Sequence, residues 1–514
     1  MHDMCQNSCL AYTGPFADLE SCPECSLFRY NPLKAGQTNK KVPRQQFHTI
    51  PLDPQLQALK RSNDSSYNVG HQHCTTQHIL DNFMLDEHGK KVIDLDCFDN
   101  FYLGSDYLGR VANGDITENS FVVMLSLYRY RLYEHKTSDC WIYIWVILDL
   151  PPDLRYKKKH VLIGGFIPRP NHPKNLDSFL HPGLHHILAL QKKGLPVWDS
   201  LTTTIVMFLI FVALVLVDGS GIATVNGFVG HQGMYCCRLY CPIQGRRKPG
   251  ATKYYPALLK PDDFTVASCD HDDIDATNFP AISQKEYCIN LAWLLQSKTD
   301  VEYEFWQKLT RIAKPSILSG LSSKFILGIP SMFPANLMHL VCLNLTELLL
   351  MLWTGTMRCD PLDKLHSWDW AVLRGPIWVA HGLDVARCRS FIPDLFDCPP
   401  RNPVEKMNSG YKAWEWMLYV FGIGPALLRG ILPNIYWRNY CHLVYGTWLI
   451  HQHSITHTQL LEAHQHLTDF HKSFEELYVQ RKTSRLYFMC PCIHAVLHIA
   501  PEIPRIGPPI YHTQ

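Results

Sequence analysis

The chain has 514 residues, of which 46% are hydrophobic and 18% charged, with a formal net charge of +2. Such a length buries a sizeable core and divides into roughly two to four structural units. The near balance of charge excludes a uniformly basic nucleic-acid coat, so any nucleic-acid contact has to come from local patches. Nineteen cysteines accompany an N-terminus, MHDMCQNSCL, without the apolar run of a secretory signal. That combination predicts a reducing compartment in which some thiols hold metal, and argues against a disulfide framework.

Residues 1–30 form a cysteine-bearing unit. Cys5-x3-Cys9 and Cys22-x2-Cys25 bracket twelve residues, a spacing that lets four thiolates converge on one tetrahedral Zn²⁺. Pro23 suits the tight turn of such a knuckle. Four unrelated buried cysteines are the plainer alternative. Residues 31–117 are polar and read as a linker with short helices, one of them from Pro54 to Arg61.

Residues 118–235 carry the strand-like core. FVVMLSLYRYRLY (121–133), CWIYIWVILDL (140–150) and HVLIGGFIP (160–168) are apolar and rich in β-branched and aromatic residues. A helix-length stretch runs from Leu176 to about Lys193, and a fourth strand-like run, TIVMFLIFVALVLV (204–217), ends at Asp218-Gly219. Only Ile205–Val217 invites a membrane reading. Its 13 apolar residues fall short of the ~20 that a spanning helix needs, and its Val and Ile content suits a buried strand.

Three strands, a helix and a strand ending in an acid is the order of a ribonuclease-H-like fold, here an α/β mixed sheet. In that fold one carboxylate sits on the first strand and a second just past the fourth, where they help hold two Mg²⁺ or Mn²⁺ ions about 3.5–4 Å apart. Asp218 is the candidate second acid; the plainer reading is an Asp-Gly turn that caps a strand. The first strand offers Ser126, Leu127 and Tyr128, and no carboxylate.

Residues 236–283 form a loop bearing cysteines and basic residues. Cys237-x3-Cys241, with Cys236 adjacent, is a second candidate metal pair, which His271 or His339 would complete. Lys157, Lys158 and Lys159, after Arg155, make one basic run; Arg246, Arg247 and Lys248, near Lys253, Tyr254 and Tyr255, make another. Both flank the core strands and are candidate phosphate contacts, with solvated turns as the plainer reading. Residues 284–514 show apolar positions at helical spacing. The chain therefore reads as a ribonuclease-H-like core with an N-terminal zinc-knuckle unit and a large α-helical insertion and C-terminal region. Helical histidines such as His185 and His186 receive no role.

Several long strings are similar to one family. They include CQNSCLAYTGPFADLESCPECSLFRY, SDCWIYIWVILDLPPDLRYKKKHVLIGGFIP, VDGSGIATVNGFVGHQGMYCCRLYCPIQGRRKPG and NSGYKAWEW. Over nearly its whole length the chain resembles the transposases of CACTA-type (En/Spm-like) DNA transposons, in the form found in mushroom-forming fungi. The resemblance implies cut-and-paste transposition at an Asp-Asp-Glu metal site, DNA terminal repeats as partner, self-association as a further partner class, no membrane, and a nuclear location (cytoplasmic for a fragment). It implies that Asp218 is the second acid, that Cys237 and Cys241 are the Cys pair after it, and that His339 is the His of a Met-His string.

The departures are specific. The family's Leu-Ser-Leu-Asp-Gly reads Leu125-Ser126-Leu127-Tyr128-Arg129 here, so Tyr128 stands in place of the first acid. Asn336 replaces the acid of the Asp-x-Met-His string. Glu347 and Glu415 are alternative third acids. The chain is shorter than the family at both ends, and residues 201–213 are more uniformly apolar, through divergence or a gene-model error. The expectation is a degenerate transposase with Zn²⁺ as structural metal and impaired Mg²⁺ or Mn²⁺ chemistry. The alternatives are a non-catalytic zinc-containing DNA-binding or interaction protein, or a decayed copy with no selected role.

Overall fold

The apolar runs of the core segment pair into a single mixed sheet in the computed structural model, which describes residues 1–34, 40–85, 91–92, 95–131, 139–168, 172–217, 221–280, 283–393, 396, 398–407 and 410–511. Its seven strands are β1 (His2–Met4), β2 (Gln45–Thr49), β3 (Ser120–Arg131), β4 (Asp139–Ile147), β5 (Leu162–Pro168), β6 (Leu195–Asp199) and β7 (Thr204–Val217). They lie in the order β1-β2-β5-β4-β3-β7-β6. β3, β4 and β5 are antiparallel neighbours, whereas β7 runs parallel to β3. β3 and β7 sit between other strands, and their residues Phe121–Leu125 and Ile210–Val217 are almost wholly buried. That is why both read as unbroken apolar runs instead of alternating ones.

A parallel return needs a crossover, and α1 (Leu176–Lys193) supplies it. Asn175 caps its start, with Oδ1 accepting from the Ser178 N–H at 3.1 Å, and Gly194 ends it at φ +74°. The helix is fastened to β7 through the Gln191 side-chain amide, which donates to the Ile210 carbonyl at 3.3 Å. The register of β7 on β3 shifts between Val212 and Leu214, a bulge that re-aims the last turn of the strand. Beyond it the pairing resumes and ends with Val217 opposite Leu127.

Three strands of the sheet carry no strand signal of their own in the sequence. β1 belongs to the cysteine unit, and β2 lies in the stretch read as a linker. Their pairing, His2 opposite Phe47 and His48 opposite Phe166, extends the sheet past β5. β2 carries a single buried apolar residue, Phe47, too little for a period-two signal. β6 is an edge strand of five residues that opens the hairpin into β7. The helix expected from Pro54 to Arg61 spans Asp53–Leu59.

The two glycines of β5 are set by close approach. A Cβ on Gly165 would lie 2.5 Å from the His48 carbonyl oxygen and 2.5 Å from the Tyr143 ring, and one on Gly164 would lie 2.3 Å from that ring. Only a hydrogen fits there.

The region from 284 onward is helical, as its spacing predicts. It includes α2 (Thr346–Thr354), α3 (Asn434–Ile450), α4 (His457–Phe474) and α5 (Pro491–Ile506). A π-helical segment, Met338–Leu345, leads directly into α2. Among the described residues no helix is long and apolar enough to cross a membrane.

Candidate functional site

The four N-terminal cysteines converge. Cys5, Cys9, Cys22 and Cys25 present sulfurs all within 4.8 Å of one another, with Cys5 Sγ 3.4 Å from Cys25 Sγ. Two similar turns build the site. The Cys5 N–H donates to the Leu10 carbonyl and the Cys22 N–H to the Leu27 carbonyl, both at 2.9 Å. Each turn contains a serine with positive φ, Ser8 at 57° and Ser26 at 58°. Leu10 and Tyr12 are buried in one small cluster with Cys5, Cys9 and Cys22. This donor set fits Zn²⁺, which would hold the two turns together without taking part in chemistry. The unit is docked on the start of α1: the Asn175 N–H donates to the Cys9 carbonyl and the Ala11 N–H to Ser178 Oγ, both at 2.8 Å.

At the end of the sheet where β3 and β7 finish, Tyr128 follows Leu127 and pairs with Ile142 on β4. Position 218 follows Val217, the partner of Leu127. Asp218 itself lies outside the described residues. Tyr128 is half-buried, and burial raises its phenol above the usual tyrosine value, opposed in part by Ser126. The group is therefore a neutral phenol at physiological pH, a poor ligand for a hard cation.

A cavity of about 300 Å³ opens beside Val217. Its walls include Ile222, Cys236, Asn336, His339, Glu347 and Cys490. Glu347, in the first turn of α2, is exposed on this wall, whereas Tyr128 is not part of the lining. Asn336 is a helix cap: its Oδ1 accepts from the His339 N–H at 3.2 Å.

Glu415 is differently occupied. Its side chain is fully buried and paired with Arg401, whose Nε donates to Oε1 at 2.7 Å and Nη2 to Oε2 at 2.6 Å. The backbone N–H groups of Arg401 and Lys412 donate to the same carboxylate. Burial works against ionisation, but the Arg401 pair and these amides hold the carboxyl below its ordinary value. A carboxylate with four donors already in place is a structural clasp and has little left for a metal.

Cys237 and Cys241 are brought together, and with them His494 and His498 on α5. His339 stands on the cavity wall outside this group of four. His271 is also elsewhere, with its ring nitrogens 2.9 Å from the Asp272 carbonyl and 3.0 Å from the Gln244 carbonyl. The two helical histidines had a legible signal, His494-x3-His498, since an i, i+4 spacing puts both rings on one helix face. It was lost among 27 histidines.

The basic residues need correction. Arg246 is fully buried, and its guanidinium donates to the carbonyls of Cys269, Leu258 and Asp272. It cannot also grip a phosphate. Lys248 is held by Asp360 at 2.5 Å and by the Ser484 carbonyl at 2.9 Å. Arg247 donates to the Ala251 carbonyl and to Ser268 Oγ. Arg155 is likewise buried, on the Leu150 carbonyl, Asn100 and Tyr102. Lys157, Lys158 and Lys159 are exposed, on a connection that leaves the sheet at the end where β3 begins.

Comparison with curated proteins finds no match. Residues 130–249, from the end of β3 through the loop that holds Cys237 and Cys241, match the transposase family tnp2, which supports a transposase-family relationship for this chain.

Proposed function

We propose that this is a transposon-derived, CACTA-type transposase-like protein that acts in the nucleus, binds DNA, and is impaired in strand cleavage. The family match over residues 130–249 and the β5-β4-β3-β7 order with β7 parallel to β3 support a ribonuclease-H-like ancestry. One observation carries the functional reading. Leu127 and Val217 are register partners on neighbouring strands; Tyr128 follows the first of them, and Asp218, the second acid in this reading, follows the other in the sequence. Glu347, on the cavity wall beside Val217, is the better third acid, because Glu415 is spent on Arg401.

A metal pair in such a site needs carboxylates on both sides. In this reading Asp218 and Glu347 supply two of the three acids, and the phenol of Tyr128 does not replace the first. With the first of the three acids missing, a pair of Mg²⁺ or Mn²⁺ ions would lack one of the carboxylates that clamp it, which is why we propose that cleavage is impaired.

What remains is a folded, zinc-stabilised DNA-binding protein, and the second reading, a non-catalytic binder, follows from the same residue. The test is binding and nicking of a duplex bearing the element's own terminal repeat, compared with a random duplex. Binding that weakens steeply with salt, without Mg²⁺-dependent nicking, is the expected result. No binding to either duplex would overturn the proposal.

A further inference from the structure

We infer that Cys237, Cys241, His494 and His498 hold a second structural Zn²⁺, which locks the last long helix of the chain to the loop behind β7. The four ligand atoms come from two pairs of residues more than 250 positions apart in sequence and lie within 4.8 Å of one another. His494 Nε2 and His498 Nε2 are 3.2 Å apart, and Cys237 Sγ is 3.4 Å from His498 Nε2. Zn–N bonds of about 2.05 Å and Zn–S bonds of about 2.3 Å give tetrahedral edges of about 3.3 Å between nitrogens and about 3.5 Å between nitrogen and sulfur. The observed separations are those edges to within about 0.2 Å.

The competing arrangement is a hydrogen-bonded cluster of thiols and imidazoles. It fits poorly, because two imidazole nitrogens and a sulfur would have to share the protons between them in a buried site. Zn²⁺ resolves this. Both thiols lose their protons to solvent on binding, both imidazoles stay neutral, and the centre Zn²⁺·2Cys⁻·2His carries no net charge. A neutral centre avoids most of the cost of burying an ion, and this one is buried: the four side chains belong to residues between 0% and 8% exposed.

The surroundings are those of a metal centre. The Ile243 N–H points to Cys241 Sγ at 3.4 Å, the amide-to-sulfur contact that steadies a thiolate ligand. The Phe279 ring closes over both imidazoles, with centroids 5.3 Å from His494 and 4.9 Å from His498.

The location gives the centre a task. Cys236 to Leu239 form one wall of the 300 Å³ cavity and Cys490 to Cys492, with His494 and Ala495, another. α5 also bears Glu502, whose carboxylate accepts from the Ala335 N–H at 2.9 Å, next to the Asn336 cap of the helix leading to Glu347. One ion would therefore fix three walls of the cavity relative to β7.

The test is zinc content per chain, by elemental mass spectrometry on the purified full-length protein. Wild type should hold two Zn²⁺. Cys5→Ser with Cys9→Ser should hold one, His494→Ala with His498→Ala should hold one, and His339→Ala should still hold two. Two zinc ions retained by the His494/His498 variant, or a single zinc in wild type that the Cys5/Cys9 variant loses, would overturn the inference. Should the double alanine variant not fold, His498→Cys gives a second route. It should keep two metals and, with Co²⁺ in place of Zn²⁺, strengthen the thiolate-to-cobalt charge-transfer absorption. An unchanged cobalt spectrum would equally overturn it.

Discussion

Glu347 and Glu415 are both glutamates at the start of a helix, and the structure gives them opposite surroundings, an exposed cavity wall and a buried ion pair, so substituting each by glutamine separates the two. Glu415→Gln keeps the shape but turns an NH₂ toward groups that donate: Arg401 Nε and Nη2 and the N–H of Arg401 and Lys412. Removing one partner of a buried pair costs about 3–5 kcal/mol. The Arg401 side chain is 44% exposed and recovers part of its hydration, which discounts the loss to about 2–3 kcal/mol. The readout is the urea midpoint of tryptophan fluorescence, with Trp416 adjacent.

The pH dependence of that loss follows from its sign. The carboxyl of Glu415 is held below its ordinary value of 4.5, so its stabilisation is present above that pH and fades as pH falls through the lowered value. The gap between wild type and Glu415→Gln should therefore close in acid. Glu347→Gln, at an exposed position on the cavity wall, should shift the midpoint by no more than about 0.5 kcal/mol. A Glu415→Gln protein as stable as wild type, or a Glu347→Gln protein that unfolds early, would refute the assignment.

Arg246→Ala should cost several kcal/mol of stability and leave the salt dependence of DNA binding unchanged, because its guanidinium is spent on three carbonyls; a DNA-binding defect in a fully folded variant would count against this. Replacing Lys157, Lys158 and Lys159 by alanine should instead leave the urea midpoint alone and flatten the slope of log affinity against log salt by up to about 3 × 0.9; an unchanged slope would remove this run from the interface. Asp149 is buried and accepts the Val122 N–H at 2.8 Å, and burial pushes its carboxyl up to about 7. A raised carboxyl stabilises the fold below its unfolded value of 3.8 and loses that contribution as pH rises through 7, so Asp149→Asn should gain stability relative to wild type at pH 8 over pH 5, read by thermal melts at both. Gly164→Ala should destabilise by more than about 1 kcal/mol, since its Cβ would enter the Tyr143 ring; a neutral melt would mean that the sheet yields there.

What the sequence revealed follows the physics of each element. β3 and β7 were legible because strands buried on both faces are long apolar runs, β4 and β5 because they are apolar and rich in β-branched and aromatic residues, and α1 because its apolar spacing, Asn175 cap and Gly194 stop agree. β1 and β2 were hidden because their burial rests on two residues, Met4 and Phe47. The N-terminal cysteine cluster was legible because all four ligands lie within 21 residues. The second cluster was half-legible. Cys237 and Cys241 stand out by spacing, but the chain supplies their partners from α5, and nothing local in the sequence joins a loop to a helix so far away. Arg246 and Lys248 misled for the converse reason, since a basic run looks the same whether its charges meet solvent or buried carbonyls.

The central claim is that Tyr128 stands in place of a metal-binding carboxylate, and Mn²⁺ titration of wild type beside Tyr128→Asp tests it most directly. The account predicts weak binding to wild type, a gain in affinity or stoichiometry with Tyr128→Asp, and loss of that gain when Glu347→Gln is added. Tight binding of two Mn²⁺ ions by wild type, with nicking of supercoiled plasmid that Glu347→Gln abolishes, would contradict it.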